Sequence, residues 1–513
     1  MTIYHTLLSR LTILLVVLAA ACTTPNPNPN NEGSSIQAET AIFALASPTP
    51  VRNSTPIASP TVQAISTPST QEQSSTLPLP TYFLTATLNY NQHLLSVDEL
   101  IVYTNHASEP IPDLRLMVDP SYYLGVFQLK EISWGSGQPI EDYTVETGQI
   151  HIPVHTPLQP GESLSIRLSY DLNLPSPVPS AAVRPIPFGY TERQTNLVDW
   201  YPFIPPYKDG EGWLAHQAGF FGEHLVYDLA NFEVNIRLED PPDGLVLAAS
   251  APGLQEGEWH RYQHDAARNF AWSASPAFQV FTTQVGNTTV QSYAFPYHAS
   301  AGEAVLKTTA EALSLYNELY GTYPRSLLTV IEADFLDGME YDGLYFLSNG
   351  FYNLYQGTPG EYLIAIAAHE TAHQWFYASV GNDQALEPWL DEALCTYQEH
   401  IYFENLYPEA LEWWWAYRVN YYEPSGWVNG SIYNPAGYRA YRDAVYLNGA
   451  VFLDKLRDEI GEESFFVFLK DYTLKNKDLI STGERFFEIL SEHTDKDLSG
   501  LIADYFKPII SLN

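Results

Sequence analysis

Cysteine and basic residues are scarce in this sequence, and each shortage excludes a class of protein. Its 513 residues include two cysteines, Cys22 and Cys395, so a framework of several disulfides cannot hold the fold. There are 24 basic residues against 60 acidic ones, which gives a net charge of -36. A chain this acidic repels nucleic acid and anionic lipid headgroups, so we expect no nucleic-acid partner.

The N-terminus carries the features of an export signal. A short polar start with Arg10 precedes the apolar run 11–18, which is too short to span a bilayer as a mature helix. Three alanines then lead to Cys22, a pattern that resembles the lipobox of bacterial lipoproteins. The resemblance implies a signal peptide over residues 1–22, a lipid anchor on Cys22, and an exported protein held on a membrane at the cell surface or in the periplasm. Cleavage after Ala21 without lipid is the alternative.

Composition divides the rest of the chain into three parts. Residues 23–80 are rich in Pro, Ser, Thr and Asn, cannot bury enough apolar surface to offset their chain entropy, and are predicted to be a disordered linker. Residues 81–293 contain short alternating runs separated by Pro and Gly turns, which is typical of an all-β domain. Residues 294–513 combine one apolar strand, 327–331, with helical periodicity, which indicates an α+β domain.

The motif with the clearest chemistry is His-Glu-Thr-Ala-His at residues 369–373. Histidines four positions apart on a helix lie on one face, about 6 Å apart along the axis, so both imidazoles can bind one metal ion. Glu370 follows the first histidine directly, which places its carboxylate beside the metal, where a general base is needed. A bare H-E-x-x-H run also occurs on ordinary solvated helix faces.

Two helices are predicted to hold the metal. The first begins at residues 358–361, where a threonine N-cap hydroxyl precedes a proline at the first helical position, and it stops by Gly381. The second begins at Pro388 and places Glu392 in its first turn as a third ligand. Two histidines and one carboxylate leave a coordination position open, which is typical of a catalytic zinc site.

Residues 369–376, together with Glu392 at an eighteen-residue gap, resemble the aminopeptidase N family of gluzincin zinc metallopeptidases. The resemblance runs roughly from residue 82 to the last residue. It implies a multidomain fold in which an all-β, saddle-like sandwich domain precedes a thermolysin-like α+β peptidase domain with a helical C-terminal part. It also implies one zinc ion per chain, bound by His369, His373 and Glu392.

A second segment matches the same family upstream. Residues 337–341, Asp-Gly-Met-Glu-Tyr, resemble the family's Gly-x-Met-Glu-Asn segment, although their first and last residues depart from its glycine and asparagine. The resemblance implies that Gly338, Met339 and Glu340 contact the substrate and that Glu340 binds the free α-amino group of a peptide. Holding an ammonium with a carboxylate fixes which peptide bond reaches the metal. The alternative is an ordinary acidic residue on an edge strand.

A third match lies downstream, where residues 446–450 resemble the family's Tyr-x-Lys-Gly-Ala, with Asn448 in place of lysine. The resemblance implies that Tyr446 hydrogen-bonds the tetrahedral oxyanion; a packing role is the alternative. Cys395 has no histidine pattern suited to nucleophilic catalysis and is interpreted as a small core residue. Gln194 lies near a family position for a second amine-binding group but is interpreted as a surface-loop residue.

These features predict a zinc metallopeptidase that acts on peptides, most simply an aminopeptidase. Two alternatives stay open. The resemblance leads us to expect no long C-terminal helical domain of the kind that many family members add, and the more open cleft expected without it would suit a zinc endopeptidase. The other is a non-catalytic surface module that binds peptides and keeps a structural zinc, although structural sites usually have four protein ligands.

Overall fold

The alternating runs form strands and the segments with helical periodicity form helices in the computed structural model, which describes residues 77–176, 186–434 and 436–508. The predicted signal peptide, Cys22 and all but the last four residues of the predicted linker 23–80 lie outside the described residues. Within these ranges, none of the helices combines the length and the apolar character needed to cross a membrane.

The first part of the chain consists of strands. They are β1 (Thr81–Asn89), β2 (Leu94–Thr104), β3 (Ile111–Val118), β4 (Phe127–Trp134), β5 (Thr144–Glu146), β6 (Gly148–Leu158), β7 (Ser163–Asn173), β8 (Gly189–Tyr190), β9 (Thr195–Leu197), β10 (Tyr207–Lys208), β11 (Gly212–Trp213), β12 (Ala230–Glu239), β13 (Val246–Ala249), β14 (Gly253–Glu256), β15 (Trp259–Ala267) and β16 (Trp272–Ser275).

Most of these strands belong to three sheets that share one hydrophobic core. The largest has the order β14-β15-β12-β1-β2-β7-β4, in which β1 runs parallel to β12. The others are β13-β16-β9-β8 and β3-β6-β5. Strand β1 buries every second residue, from Tyr82 to Leu88, because side chains alternate between the two faces of a strand. These residues pack in the same core as Leu114 of β3 and Ile150 of β6.

A five-stranded sheet begins the second part of the chain. Its strands are β17 (Gln279–Val285), β18 (Thr288–Ala294), β19 (Leu327–Ala333), β20 (Gly338–Tyr341) and β21 (Leu344–Ser348), in the order β17-β18-β19-β21-β20. The apolar run 327–331 is its buried central strand, and β20 is an edge strand. The boundary predicted between residues 293 and 294 therefore falls inside this sheet, at the end of β18.

Helices make up most of the remainder. They are α1 (Ala299–Tyr320), α2 (Asn349–Leu354), α3 (Tyr362–Ala372), α4 (Trp389–Leu406), α5 (Leu411–Trp413), α6 (Tyr438–Arg442), α7 (Gly449–Ile460), α8 (Glu462–Lys475), α9 (Gly483–Ser491) and α10 (Ser499–Tyr505), with a short strand pair of β22 (Gly381–Asn382) and β23 (Ile480–Ser481). Two π-helical segments, Trp414–Val419 and Asp443–Asn448, continue α5 and α6. A largely β N-terminal part followed by an α+β, mainly helical part confirms the predicted fold class.

One buried arginine joins the two parts. Arg268, which follows β15, donates from Nε to the carbonyl oxygens of Tyr377 (2.7 Å) and Ala378 (3.1 Å), and from Nη2 to that of Leu479 (2.9 Å). Its guanidinium is so close to Gly381 that a Cβ built there would lie 2.5 Å from Cζ. The loop that follows the metal-binding motif is thus fixed by a side chain of the β part.

Candidate active site

Helix α3 carries the H-E-x-x-H motif and is shorter than predicted. It begins at Tyr362 because residues 358–361 form a turn, in which the Glu361 carboxylate accepts hydrogen bonds from the Thr358 amide (2.8 Å) and hydroxyl (2.6 Å). The predicted N-cap at Thr358 is therefore wrong. The predicted stop at Gly381 is wrong too, since the helix ends at Ala372 and Gly381 lies in β22.

The three predicted metal ligands lie together and are buried. Oε2 of Glu392, in the first turn of α4, is 3.2 Å from Nε2 of His369 and 3.6 Å from Nε2 of His373. Ligands about 2.1 Å from a tetrahedral zinc ion are about 3.4 Å from one another. The separations at this carboxylate thus fit zinc.

The other ring nitrogens set the direction of both imidazoles. His369 Nδ1 hydrogen-bonds Glu399 Oε1 (3.0 Å), and His373 Nδ1 hydrogen-bonds the carbonyl oxygen of Phe376 (3.1 Å). With each Nδ1 as the donor, each Nε2 keeps its lone pair toward Glu392. Partners of this kind orient the histidines of metal sites, so the donor set suits a divalent cation.

Glu399 was missed by the sequence analysis. It is fully buried and receives hydrogen bonds from Arg418 (2.7 and 2.8 Å) and from the Trp414 indole (2.9 Å). Burial acts to raise the pKa of this carboxyl, but the positive charge of Arg418 and the bond from His369 outweigh it and hold the pKa below its ordinary value. Glu399 is seven positions after Glu392, two turns further along the same helix, and this spacing was the sequence signal that could have identified it.

Glu370 and the three predicted ligands line one cavity. Its Oε2 is buried and has no hydrogen-bond partner among the described residues. Its Oε1 lies 2.0 Å from where a Cβ on Gly338 would be, so glycine at this position leaves the room that the carboxylate occupies. Burial raises the pKa of Glu370, which a bound cation would oppose.

Glu340 lies at the end of the cavity near His373. On edge strand β20 its Oε1 accepts a hydrogen bond from Gln384 (3.0 Å), and one oxygen lies within 4.8 Å of ligand atoms of His373 and Glu392. Burial raises the pKa of this carboxyl. The neighbouring Met339 also lines the cavity. The three substrate-contact residues predicted on this strand thus border the cavity, but Gly338 does so by making room for Glu370.

Tyr446 also lines the cavity and lies within the π-helical segment Asp443–Asn448. Its ring is nearly parallel to that of His369, with 6.2 Å between the ring centres. Burial raises the pKa of this phenol well above its usual value, so the hydroxyl stays protonated and can donate a hydrogen bond.

The cavity has a volume of about 520 Å³ and is closed partly by residues that the sequence analysis did not identify. Phe220, Phe221 and Glu223 come from the β part, and Tyr438 and Arg442 come from α6. No motif marks these positions, because they meet the site only through the tertiary fold.

Two other candidates do not line the cavity, although one of them, Cys395, contacts the His373 imidazole. Cys395 is fully buried, and its thiol donates to the carbonyl oxygen of Phe376 (3.8 Å). Gln194 was interpreted as a surface-loop residue, which is wrong: it is fully buried, and its amide oxygen accepts from the Asp334 backbone amide (2.7 Å). This buried amide ties β9 to the end of β19.

Comparison with known proteins points to one family. Residues 304–505 match the family described as "Peptidase family M1 domain". Aminopeptidase M1-B of Oryza sativa subsp. japonica is 26% identical over 310 residues, which cover 55% of this chain and 35% of that protein. Aminopeptidase N of Lactobacillus helveticus is 23% identical over 296 residues, covering 52% and 34%. The chain thus spans about a third of the length of these relatives.

Solved structures share the fold at lower identity. The M1 zinc metallopeptidase of Deinococcus radiodurans superposes with a TM-score of 0.58 at 17% identity, covering 85% of this chain and 95% of that one. A mutant of the same enzyme was solved with a Tyr-Ser-Ala substrate and has the same TM-score. The match of residues 304–505 to the peptidase family M1 domain, with a relative named aminopeptidase N among the similar proteins, confirms the resemblance drawn from the motifs.

Proposed function

We propose that the protein is a zinc-dependent aminopeptidase that binds one zinc ion per chain and releases the N-terminal residue of peptides. The observation that carries the proposal is the convergence of His369 Nε2 and His373 Nε2 on Glu392 Oε2, with the Glu370 carboxylate beside them. The relatives named aminopeptidase, and the related structure with a bound peptide, support it.

Each residue of the site has one role in the proposed hydrolysis. When bound, zinc lowers the pKa of water and polarises a carbonyl group as a Lewis acid. Glu370 removes the proton from the attacking water and passes it to the leaving amine. The Tyr446 hydroxyl donates a hydrogen bond to the oxygen that becomes negative. Glu340 holds the α-ammonium group of the substrate.

The position of Glu340 favours an exopeptidase. Because its carboxylate lies within 4.8 Å of the ligand atoms of His373 and Glu392, an ammonium bound to it lies about one residue from the metal site, consecutive Cα atoms being about 3.8 Å apart. The bond that reaches the site is therefore the first peptide bond. An endopeptidase would need space for the peptide chain that precedes the scissile bond, and the side chains of Glu340 and Gln384 occupy that space.

Blocking the α-amino group should therefore stop cleavage. We expect N-terminal acetylation of a peptide to lower kcat/KM by about 10²-fold or more, because the buried Glu340 carboxylate loses its cationic partner. Chromatography with mass detection would measure the released residue. Acetylation of an internal lysine of the same peptide is the matched control and should leave cleavage intact. Equal cleavage of blocked and free peptides at internal bonds would instead support the endopeptidase.

The proposal extends to export and to a lipid anchor on Cys22, which the N-terminal sequence pattern supports. In a bacterium that processes lipoproteins, the protein should incorporate labelled fatty acid and sediment with membranes. Changing Cys22→Ser should abolish both, whereas Cys395→Ser, which changes the other cysteine, should still be labelled. Unlabelled protein whose N-terminus is a free Cys22 would show cleavage without lipid.

A further inference from the structure

A second concavity opens beside the catalytic cavity and is lined by aromatic side chains. It has a volume of about 450 Å³, and Phe351, Tyr362 and Tyr422 line both spaces. Its remaining aromatic wall is formed by Trp413, Tyr417 and Tyr421. We call the space lined by these six residues the aromatic groove. Since three residues border both spaces, the groove continues the catalytic cavity.

The aromatic groove has exposed side chains, and contacts among its residues fix the positions of its walls. Tyr417 is 57% exposed and Tyr421 72% exposed, and clustered apolar surface of this kind marks binding sites. The Tyr362 hydroxyl donates to the backbone carbonyl of Tyr417 (2.9 Å), and the Tyr362 ring packs edge-on against Trp413, with 5.5 Å between ring centres. A preformed aromatic wall binds a ligand at a small cost in conformational entropy.

The groove lies at the opposite end of α3 from the amine-binding carboxylate. Tyr362 is the first residue of α3, and His373, next to Glu340, follows its last residue. At 1.5 Å per residue these two positions are about 16 Å apart. Tyr362, Ile366, Glu370 and His373 all line the catalytic cavity, so the cavity follows one face of the helix from Glu340 toward the groove.

This geometry sets how a substrate reaches the groove. From Glu370 to Tyr362 the distance along the helix is about 12 Å, which an extended peptide covers with about four residues. We infer that the aromatic groove binds the segment of a peptide substrate that begins about four residues beyond the scissile bond, so that the protein favours oligopeptides over dipeptides. This inference rests on the proposed aminopeptidase function.

The chemistry of the lining specifies the kind of segment. Among the residues that line the groove, Glu361 alone is charged, and its carboxylate accepts hydrogen bonds from Thr358 and Gln356. At the junction with the catalytic cavity the Arg442 guanidinium lies over the Tyr422 ring, 4.0 Å from its centre. The groove thus offers aromatic faces to apolar and aromatic side chains, without an unpaired carboxylate that would select a basic residue.

The test compares substrates of different length in the full-length protein. The substrates are peptides of two, four, six and eight residues with the same N-terminal residue, and the two longer peptides have apolar residues from position five onward. The aminoacyl fluorogenic amide of that N-terminal residue is a substrate that cannot reach the groove. We expect kcat/KM of the wild type to rise by about tenfold between four and eight residues. The double variant Tyr417→Ala, Tyr421→Ala should lose this rise and keep its activity on the amide. Tyr297→Ala, which removes another exposed tyrosine (63% exposed), should keep both.

A binding measurement separates this inference from the proposed function. In zinc-loaded protein with Glu370→Gln, calorimetry with the octapeptide and the dipeptide does not depend on turnover. Adding the two tyrosine substitutions should weaken octapeptide binding by about tenfold and leave dipeptide binding unchanged. Equal octapeptide affinity with and without the two tyrosines, or equal loss for both peptides, would overturn the inference. Absence of turnover on every substrate, with the binding difference preserved, would overturn the proposed function alone.

Discussion

Replacing Glu370 by glutamine should lower kcat by about 10²–10⁴-fold while the zinc content stays near one ion per chain. Glutamine keeps the size of the side chain and its fit against Gly338, but its amide cannot accept the proton of the attacking water. The ligands His369, His373 and Glu392 are untouched, and so are the hydrogen bonds that orient the two imidazoles. The expected loss is therefore in the chemical step.

Steady-state kinetics on an aminoacyl amide, combined with elemental analysis for zinc, would measure both quantities. Glu318→Gln is a matched control, because it makes the same chemical change at an exposed position on α1. Retention of a tenth or more of the wild-type kcat would remove Glu370 from its role as the base. Loss of zinc from the variant would show that Glu370 acts as a ligand.

The second large effect is expected from Tyr446→Phe. Removal of this hydroxyl should lower kcat by about 10²–10³-fold, the effect of losing one oxyanion-stabilising donor, with little change in KM. The reason is that the hydrogen bond strengthens only when negative charge develops on the carbonyl oxygen. Because burial raises the pKa of the phenol, the wild-type donor stays protonated across the neutral range, so the ratio of wild-type kcat to variant kcat should not change with pH in that range.

The measurement is the separate determination of kcat and KM on one peptide at several pH values. Tyr297→Phe, at an exposed tyrosine that does not line the cavity, is the control for removal of a phenolic hydroxyl. A variant that keeps kcat within threefold of the wild type would show that Tyr446 packs against His369 without taking part in the reaction.

The sequence was informative where chemistry depends on local spacing. His369 and His373 are about one turn of helix apart, Glu370 follows His369 directly, and Glu392 lies in the first turn of the next helix, which begins at Trp389, one residue after the predicted start at Pro388. Helical geometry relates the two histidines, because a spacing of four residues puts both side chains on one face. Glu392 meets them through the packing of α4 against α3. The roles of these residues stay predictions until the variants are measured.

Other features depended on contacts between distant segments. Glu399 is held by Arg418 and Trp414, which follow α4 in a π-helical segment with no sequence signature. Gln194 is buried because backbone groups of the neighbouring sheet meet its amide. Propensity rules contain no information on such long-range partners.

The position of Arg268 limits how these parts can be recombined. Its guanidinium supplies hydrogen-bond donors to carbonyl oxygens of residues 377–379 and 479. A chimera that kept the peptidase segment from residue 294 onward and took its β part from another protein would remove the donor to the carbonyl oxygens of Tyr377 and Ala378. The carbonyl oxygens of Ser379 and Leu479 would keep the backbone amides of Asp478 and Gly381 as donors. A foreign β part must therefore supply a hydrogen-bond donor to residues 377 and 378, which couples the evolution of the two halves of the molecule at this point.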